Sequence, residues 1–396
     1  MAKNNGKLFS IQIVLLTFAH LFNDFYAGFL VPLLSYFKEY LHLTITQASL
    51  LPTVLAVFGS ILQPVCGYFG DRFSRKTFIV IGVLCSAIFM SSICFAPNFI
   101  ILVLMLIIGS SGVAAFHPNG AATVASLCDV KSTFMMSVFL MAGGIGLAGA
   151  PFIIALVASE YGIGKLWLAS IPGIILAIML INILSGDSKT ESKVNLSGLK
   201  VLFVRYSWPL WIMFLIMFLR SIVITSFMCF MSILFAEREL SMQKSGIAIS
   251  VFLISGTIGG LIGGYLADNI NRKIVITTSS ILACPLLVWF LNESADYSMV
   301  LLGLSGMILF AASAVNVIIV QELCPKMASA VSGIAMGLVW GTAGLMLPII
   351  GNVADKYSMK ISLEIVAYLA PLAGLLVFLL PNINYPTQQL GEQAVR

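Results

Sequence analysis

The chain has 396 residues, of which 60% are hydrophobic and 9% are charged, and its formal net charge is +5. About a quarter of the residues in a soluble domain are charged, so this composition excludes a soluble fold and indicates a chain embedded in lipid. The basic residues lie at the ends of apolar runs, so nucleic acid is not an expected partner. None of the seven cysteines belongs to a Cys-x-x-Cys pair, and we interpret them as small core residues rather than as disulfides or metal ligands.

Twelve apolar runs are long enough to cross a bilayer, because a transmembrane helix needs about 20 residues. They cover 8–37, 45–69, 77–96, 98–126, 133–159, 165–185, 208–235, 243–267, 274–292, 298–321, 327–354 and 360–381. A polar stretch at 186–207 separates the sixth run from the seventh. The sequence therefore predicts an all-α integral membrane protein with an N-terminal six-helix bundle (1–185), a cytoplasmic linker (186–207) and a C-terminal six-helix bundle (208–396).

A ten-residue motif occurs twice, each time between two apolar runs. The first copy is Gly67-Tyr68-Phe69-Gly70-Asp71-Arg72-Phe73-Ser74-Arg75-Lys76. The second, Gly264–Lys273, repeats the Gly, the Asp and the final Arg-Lys 197 residues later, and Pro151 and Pro348 have the same separation. This spacing predicts two tandem copies of one membrane module, and because six spans is an even number the copies are parallel repeats.

We interpret the motif as gating machinery rather than as a substrate site. Gly67 and Gly264 would let neighbouring helices approach closely. Asp71 and Asp268 would each cap a neighbouring helix N-terminus and bond the basic group that follows, in one conformation and not in another. The complete set of predicted gating residues is Gly67, Asp71, Arg72, Arg75, Pro151, Gly264, Asp268 and Arg272.

The distribution of Lys and Arg predicts the orientation. With the N-terminus in the cytoplasm, fourteen of them lie on the cytoplasmic side, six on the opposite side and Arg220 within the membrane. Because cytoplasmic loops carry an excess of Lys and Arg, both termini are expected in the cytoplasm. We expect a multi-pass protein of the bacterial inner membrane.

Span one carries three polar residues, His20, Asn23 and Asp24, whose spacing places them on one helical face near mid-depth. Charged groups at that depth are costly and need a reason. One interpretation is a self-satisfied polar pair that fixes helix packing. The other, which we favour, is a proton-titratable site that faces a water-filled cavity, since an imidazole and a carboxyl group can exchange charge.

Span four contains His117-Pro118-Asn119 after a run of small residues. Pro118 removes one helical hydrogen bond and permits a bend, and interrupted helices in transporters commonly line the central site. His117 and Asn119 are therefore candidate site residues, with a simple bend and a His117–backbone hydrogen bond as the alternative.

Arg220 lies about twelve residues into span seven, at a depth similar to that of Asp24. An arginine does not lose its proton, so it must pair with a carboxylate or bind an anion. Asp24 is the most plausible partner at mid-depth, and we predict an Asp24–Arg220 pair. Gln63 and Asn316 are weaker candidates, for which substrate contact and helix bridging remain open. The candidate substrate contacts are Asn23, Gln63, His117, Asn119, Arg220 and Asn316.

These residues resemble a known family. Gly67–Lys76 resembles the loop motif Gly-x-Leu-x-Asp-Arg-x-Gly-Arg-Arg/Lys of the major facilitator superfamily, with Phe69 for Leu and Ser74 for Gly. Gly146-x-x-x-Ala150-Pro151 is similar to the antiporter motif Gly-x-x-x-Gly-Pro. Within that superfamily, His20-x-x-Asn23-Asp24 and Phe116-His117-Pro118 resemble signatures of the fosmidomycin resistance protein family of drug exporters.

The resemblance implies a twelve-helix secondary transporter that works by alternating access and exports a small molecule, such as fosmidomycin or another antibiotic, in exchange for protons. Asp24, His20, His117 and Arg220 would then carry or bias the coupling proton. No Walker-type motif is present, so the proton gradient rather than ATP is the expected energy source. We expect a monomer with no metal or other cofactor, whose partners are the small-molecule substrate, protons and the lipid bilayer.

Several alternatives remain open at this stage. A proton-coupled uptake symporter, or an exporter of an endogenous metabolite or siderophore, would have the same fold. A membrane enzyme is a remote alternative, because the sequence shows no paired carboxylates, metal-ligand cluster or nucleophile–base spacing. A receptor or channel is equally remote, because two gated halves favour alternating access.

Overall fold

The computed structural model describes residues 11–127, 132–184, 207–293, 297–323 and 337–381, and the regular structure in these ranges is helical. The helices are α1 (Ile11–Ala27), α2 (Leu34–Tyr40), α3 (Ile45–Ala56), α4 (Gln63–Arg72), α5 (Arg75–Cys85), α6 (Phe99–Leu127), α7 (Ser132–Tyr161), α8 (Ser170–Ile183), α9 (Ser207–Glu237), α10 (Met242–Asn269), α11 (Arg272–Asn292), α12 (Ser298–Phe310), α13 (Ser313–Leu323), α14 (Val339–Gly344), α15 (Leu347–Lys356), α16 (Met359–Ala367) and α17 (Leu369–Leu376).

The predicted all-α membrane fold is confirmed. Among the described residues, ten helical segments are long and apolar enough to span a membrane, and their ends agree with the predicted spans within three residues. The predicted span 77–96 is formed by α5, the π-helical turn Ser86–Met90 and the 3₁₀ turn Ile93–Phe95. The predicted span 327–354 lies partly outside the described residues, and α14 and α15 form the described part of this span. Nearly all of the linker 186–207 also lies outside the described residues.

The described residues divide into two compact units. One contains 11–127 and 132–184 together with Cys229–Ser250 and Leu347–Asp355, and the other contains 207–228, 251–293, 297–323, 337–346 and 356–381. The first unit has a buried apolar cluster on five helices, with members that include Leu16, Val83, Phe116, Phe139 and Leu180. The second unit has its own cluster, with members that include Met213, Ile216, Ile276, Val320 and Ala373.

Polar caps fix where the helices after the two loop motifs begin. The Ser74 Oγ accepts a hydrogen bond of 3.2 Å from the Thr77 amide at the start of α5. In the second copy, the Asn271 Oδ1 accepts a 2.8 Å hydrogen bond from the Lys273 amide at the start of α11. Ser and Asn are preferred N-cap residues, so Ser74 and Asn271 have a local structural reason to occupy the same position of the two motif copies.

Small residues bring α7 close to α1. A Cβ on Gly146 would overlap the Leu21 carbonyl, and a Cβ on Gly28 would lie 2.9 Å from the Cβ of Ala150. In lipid, helices associate through such close packing because the hydrophobic effect supplies no force between them. The Gly146-x-x-x-Ala150 part of the antiporter-like motif therefore forms the α1–α7 contact.

In the second unit, the close approach lies one residue away from its predicted position. A Cβ on Gly264 would meet no described atom within 4 Å, whereas one on Gly263 would overlap the Ala311 carbonyl. Gly259 contacts the Met307 carbonyl in the same way, one turn earlier. Positions four apart share a helix face, so Gly259 and Gly263 face α12 and the turn that follows it, and Gly264 points elsewhere.

Candidate functional site

Asp24 lies between two histidines. Its Oδ2 is 3.3 Å from the Nε2 of His20, which is one turn earlier on α1, and its Oδ1 is 3.1 Å from the Nε2 of His117 on α6. The side chains are 15%, 4% and 25% exposed for Asp24, His20 and His117. The structure thus brings together three of the four residues predicted to carry the proton.

The other ring nitrogen of His20 determines which hydrogens the cluster holds. His20 Nδ1 lies 2.7 Å from the backbone carbonyl of Phe139 on α7. A carbonyl oxygen only accepts, so we assign the ring hydrogen to Nδ1. An unprotonated Nε2 would direct a lone pair at the Asp24 carboxylate and repel it. The contact therefore requires one more hydrogen, held on His20 Nε2 or on Asp24 Oδ2.

One turn of α7 holds His20 in place. The ring of Phe139 stacks on the His20 ring, with 4.1 Å between centroids and 26° between planes, and the His117 ring meets His20 edge-on at 5.1 Å. Four residues after Phe139, a Cβ on Gly143 would lie 2.5 Å from both Asp24 Oδ2 and His20 Nε2. Gly143 is thus a site residue that the sequence analysis missed.

Pro118 does not interrupt α6, which runs unbroken from Phe99 to Leu127. Asn119 is 1% exposed, and its Nδ2 donates to the carbonyls of Cys66 and Ala115 at 3.2 and 2.8 Å. The loop-motif helix α4 lies directly against this segment: a Cβ on Gly67 would be 3.2 Å from the Pro118 ring, and one on Gly70 would overlap the Asn119 amide. The segment that carries His117 is therefore in contact with the loop motif.

Of the remaining candidate contacts, Asn23 and Gln63 have hydrogen-bond partners in the first unit. Asn23 Oδ1 accepts from the Ser86 Oγ at 3.1 Å, which ties α1 to the turn after α5. Gln63 Nε2 donates to the Gly59 carbonyl at 2.9 Å. Asn316 on α13 is 4% exposed. Among the described residues, Asn23 Nδ2, Asn119 Oδ1 and Asn316 Oδ1 are buried without a hydrogen-bond partner.

An apolar cavity of about 720 Å³ lies beside α1 in the first unit. Leu21, Phe22 and Phe25 form its α1 wall, and α7 and the segment 161–172 form the rest. None of the predicted substrate contacts lines it.

Arg220 is 2% exposed and binds oxygens of its own unit. Its guanidinium donates to the hydroxyls of Ser279 and Ser280 on α11 and to the carbonyl of Leu309 at the C-terminal end of α12. Cations are stabilised at helix C-termini. The described partners of Asp24 and of Arg220 lie in different units, and the predicted pair between them stays a prediction.

We expect Arg220→Gln to lower the melting temperature of the purified protein by several degrees. Each buried oxygen that loses its donor costs about 1–3 kcal/mol, and about 2–4 °C is lost per kcal/mol in a domain of 150–250 residues. Arg220→Lys, which keeps the charge and three donors, should lose less. An unchanged melting temperature together with lost transport would contradict this packing role and favour the Asp24 pair or a substrate contact.

The final lysine of each loop motif binds a backbone carbonyl that lies just beyond the end of a later helix. Lys76 Nζ donates to the Leu184 carbonyl at 2.7 Å, and its counterpart Lys273 donates to the Leu380 carbonyl at 2.5 Å. Asp71 forms an ion pair of 2.6 Å with Arg75. Further members of the predicted gating set lie as follows: Arg72 donates to the Tyr68 hydroxyl, Arg272 pairs with Glu322 on α13, Asp268 is exposed, and Pro151 lies within α7.

The cluster around Asp24 also has the dimensions of a cation site. One ligand atom each from His20, Asp24 and His117 lies within 4.8 Å of the others. These are the described residues that could hold a metal ion, although none was expected from the sequence. A proton or a metal ion could supply the positive charge that the arrangement requires.

Apolar helices of membrane-spanning length that enclose a carboxylate–imidazole cluster are typical of one class of protein, the multi-pass membrane transporters. Comparison with known proteins agrees. The model of the Major Facilitator Superfamily matches residues 16–348, and the chain belongs to this family of transporters, which are not enzymes.

Two bacterial relatives are similar over most of their length. The chain is 25% identical to the uncharacterized MFS-type transporter YfnC of Bacillus subtilis and 24% identical to the fosmidomycin resistance protein of Escherichia coli, in each case over 93% of this chain and 92% of the relative. The fold is similar to that of a crystallised variant of the nucleoside transporter NupG, with a TM-score of 0.78 and 16% identity over 93% of this chain and 99% of that chain.

Proposed function

We propose that the chain exports a small molecule, of the kind represented by fosmidomycin, in exchange for protons. The observation that carries the proposal is the Asp24 carboxylate shared by His20 and His117. His20 Nδ1 is committed to the Phe139 carbonyl, so the contact needs an additional positive charge, which we assign to a proton. The name of the Escherichia coli relative supports the substrate class.

Loss of the shared proton would leave a lone pair of His20 facing an ionised Asp24. This repulsion would separate the Asp24 and His20 side chains or draw His117 closer to the carboxylate. Because His117 is followed by Pro118 and Asn119, which contact Gly67 and Gly70, a shift of α6 would reach the loop motif on α4. Proton binding and the gating motif would be coupled through these contacts.

The proposal includes the membrane location, the topology and the domain organisation of the protein. The chain would lie in the bacterial inner membrane as a monomer with both termini in the cytoplasm, and 1–185 and 208–396 would act as two six-helix bundles joined by 186–207. Alternating access would let Arg220, Asn316 and the other predicted polar residues meet the substrate, and would let Arg220 reach Asp24, in a different conformation.

Inside-out membrane vesicles that contain the chain test this proposal. The lumen of such a vesicle corresponds to the outside of the cell, so export carries the drug into the lumen. With an acidic lumen, we expect fosmidomycin to accumulate inside the vesicles, because protons that leave the lumen drive its entry. An uncoupler should release the accumulated drug. Vesicles without the chain provide the background.

A small panel of further antibiotics should accompany fosmidomycin. Gradient-driven depletion of a preloaded compound from the lumen would indicate symport instead. Folded protein that moves none of these compounds in response to the gradient would contradict proton-coupled drug export.

A further inference from the structure

A third, looser copy of the loop motif covers the end of α15 and the beginning of α16. Gly351-Asn352-Val353-Ala354-Asp355-Lys356-Tyr357-Ser358-Met359-Lys360 repeats the Gly, Asp, Ser and final Lys of the first copy at the same positions. It connects the eleventh and twelfth predicted spans, so the Lys/Arg count places it outside the cell, opposite the other two copies. The Ser358 Oγ accepts a 3.2 Å hydrogen bond from the Ile361 amide, as Ser74 does from Thr77.

The carboxylate of this copy holds the beginning of α3. Asp355 Oδ1 accepts from the Ile45 amide at 2.7 Å, and Oδ2 accepts from the Thr46 amide at 2.8 Å and the Thr46 hydroxyl at 2.6 Å. These amides belong to the first turn of α3, where backbone donors are free and negative charge is stabilised. Three hydrogen bonds to one carboxylate thus join segments 310 positions apart in the sequence.

The glycine of the copy lets α15 lie close against α3. A Cβ on Gly351 would be 2.9 Å from the Ser49 Oγ, 3.0 Å from the Ile45 carbonyl and 3.1 Å from the Thr46 Cα. Burial raises the pKa of the Asp355 carboxyl, but the hydrogen bonds from Thr46 and Ile45 outweigh it and lower that pKa below its ordinary value. Asp355 is therefore ionised at neutral pH, and its bonds are charge-assisted.

We propose that Asp355 is a latch that closes the outer end of the transport path by holding α15 on the first turn of α3. The assignment of an outer end rests on the proposed function. The contact is made in the conformation described here, and it must break before the outer ends of α3 and α15 can separate. Asp355 positions these helices and touches no substrate.

Chemical labelling in intact cells tests the latch. In a variant without native cysteines, Ser49→Cys places a thiol at the α3–α15 contact, where Ser49 is fully buried. A membrane-impermeant maleimide should react slowly while Asp355 is present. Asp355→Ala should accelerate the reaction about tenfold or more, because it removes three hydrogen bonds to a charged group, which are stronger than hydrogen bonds between neutral groups.

Two further variants complete the design. Gly351→Ala keeps the carboxylate but wedges the helices apart, so it should also accelerate labelling. Glu160→Gln, an exposed carboxylate at the end of α7, should leave the rate unchanged. Rapid labelling of Ser49→Cys with both Asp355 and Gly351 intact, or slow labelling in the Asp355→Ala variant, would overturn the latch. The assay needs neither substrate nor proton gradient, so failure of the export experiment would not affect its outcome.

Discussion

Asp24→Asn is expected to reduce gradient-driven transport to background while the protein remains folded. An asparagine amide at this position can donate to one histidine ring nitrogen and accept from the other, so it can replace the ion-pair contacts of Asp24 and keep α1 against α6. It cannot exchange a proton at physiological pH. We therefore expect the free energy of unfolding to change by less than about 1 kcal/mol and the pH dependence of transport to disappear.

Fosmidomycin accumulation in acidic-inside vesicles measures this loss, and the melting temperature of the purified variant reports on folding. Glu39→Gln, which removes an exposed carboxylate on α2, should transport as the original chain does. Retention of full proton dependence by Asp24→Asn would show that the coupling proton is held elsewhere. Loss of transport in the unaltered chain on adding a metal chelator would instead indicate that the cluster holds a metal ion.

The positions of the membrane spans could be predicted from the sequence because a bilayer has a fixed thickness and the apolar runs have matching lengths. The course of the backbone within the spans could not be predicted. The π-helical turn at Val57–Ile61 and the break between α12 and α13 both lie inside apolar runs without a distinctive residue pattern. Pro118, conversely, was expected to interrupt α6 and does not, since one missing amide donor is compatible with a continuous helix in a membrane bundle.

The His20–Asp24 contact could be predicted from its i, i+4 spacing on α1. His117 was a candidate because Pro118 was expected to interrupt its helix, and it contacts Asp24 although that helix is continuous. The partners supplied by backbone could not be predicted, since the Phe139 carbonyl has no sequence signature. Asp355 was also missed. A charged residue at the end of a span is usually solvated, and its partner on α3 is too distant in the sequence to be paired by spacing.

Gly143→Ala should impair transport almost as severely as loss of the carboxylate. The added Cβ would lie 2.5 Å from Asp24 Oδ2 and His20 Nε2 and 2.6 Å from His20 Cε1, distances that real Cβ atoms essentially never show. Either α7 must move away from α1, or His20 must rotate and lose its bond to the Phe139 carbonyl. Overpacking of this kind costs about 1–3 kcal/mol, so a lower melting temperature should accompany the loss of proton-driven accumulation.

Gly144 provides the matched control, because it is the adjacent residue of the same helix and a Cβ there meets no described atom within 4 Å. Gly144→Ala should transport normally and stabilise the protein by up to about 1 kcal/mol, since alanine is the better helix former. The comparison separates the effect of helix propensity from the effect of a methyl group placed against the cluster. Equal transport by the two variants would mean that close contact between α7 and the Asp24–His20 pair is not needed for coupling. Loss in Gly143→Ala alone would show that coupling needs α7 to pack closely against the Asp24–His20 pair.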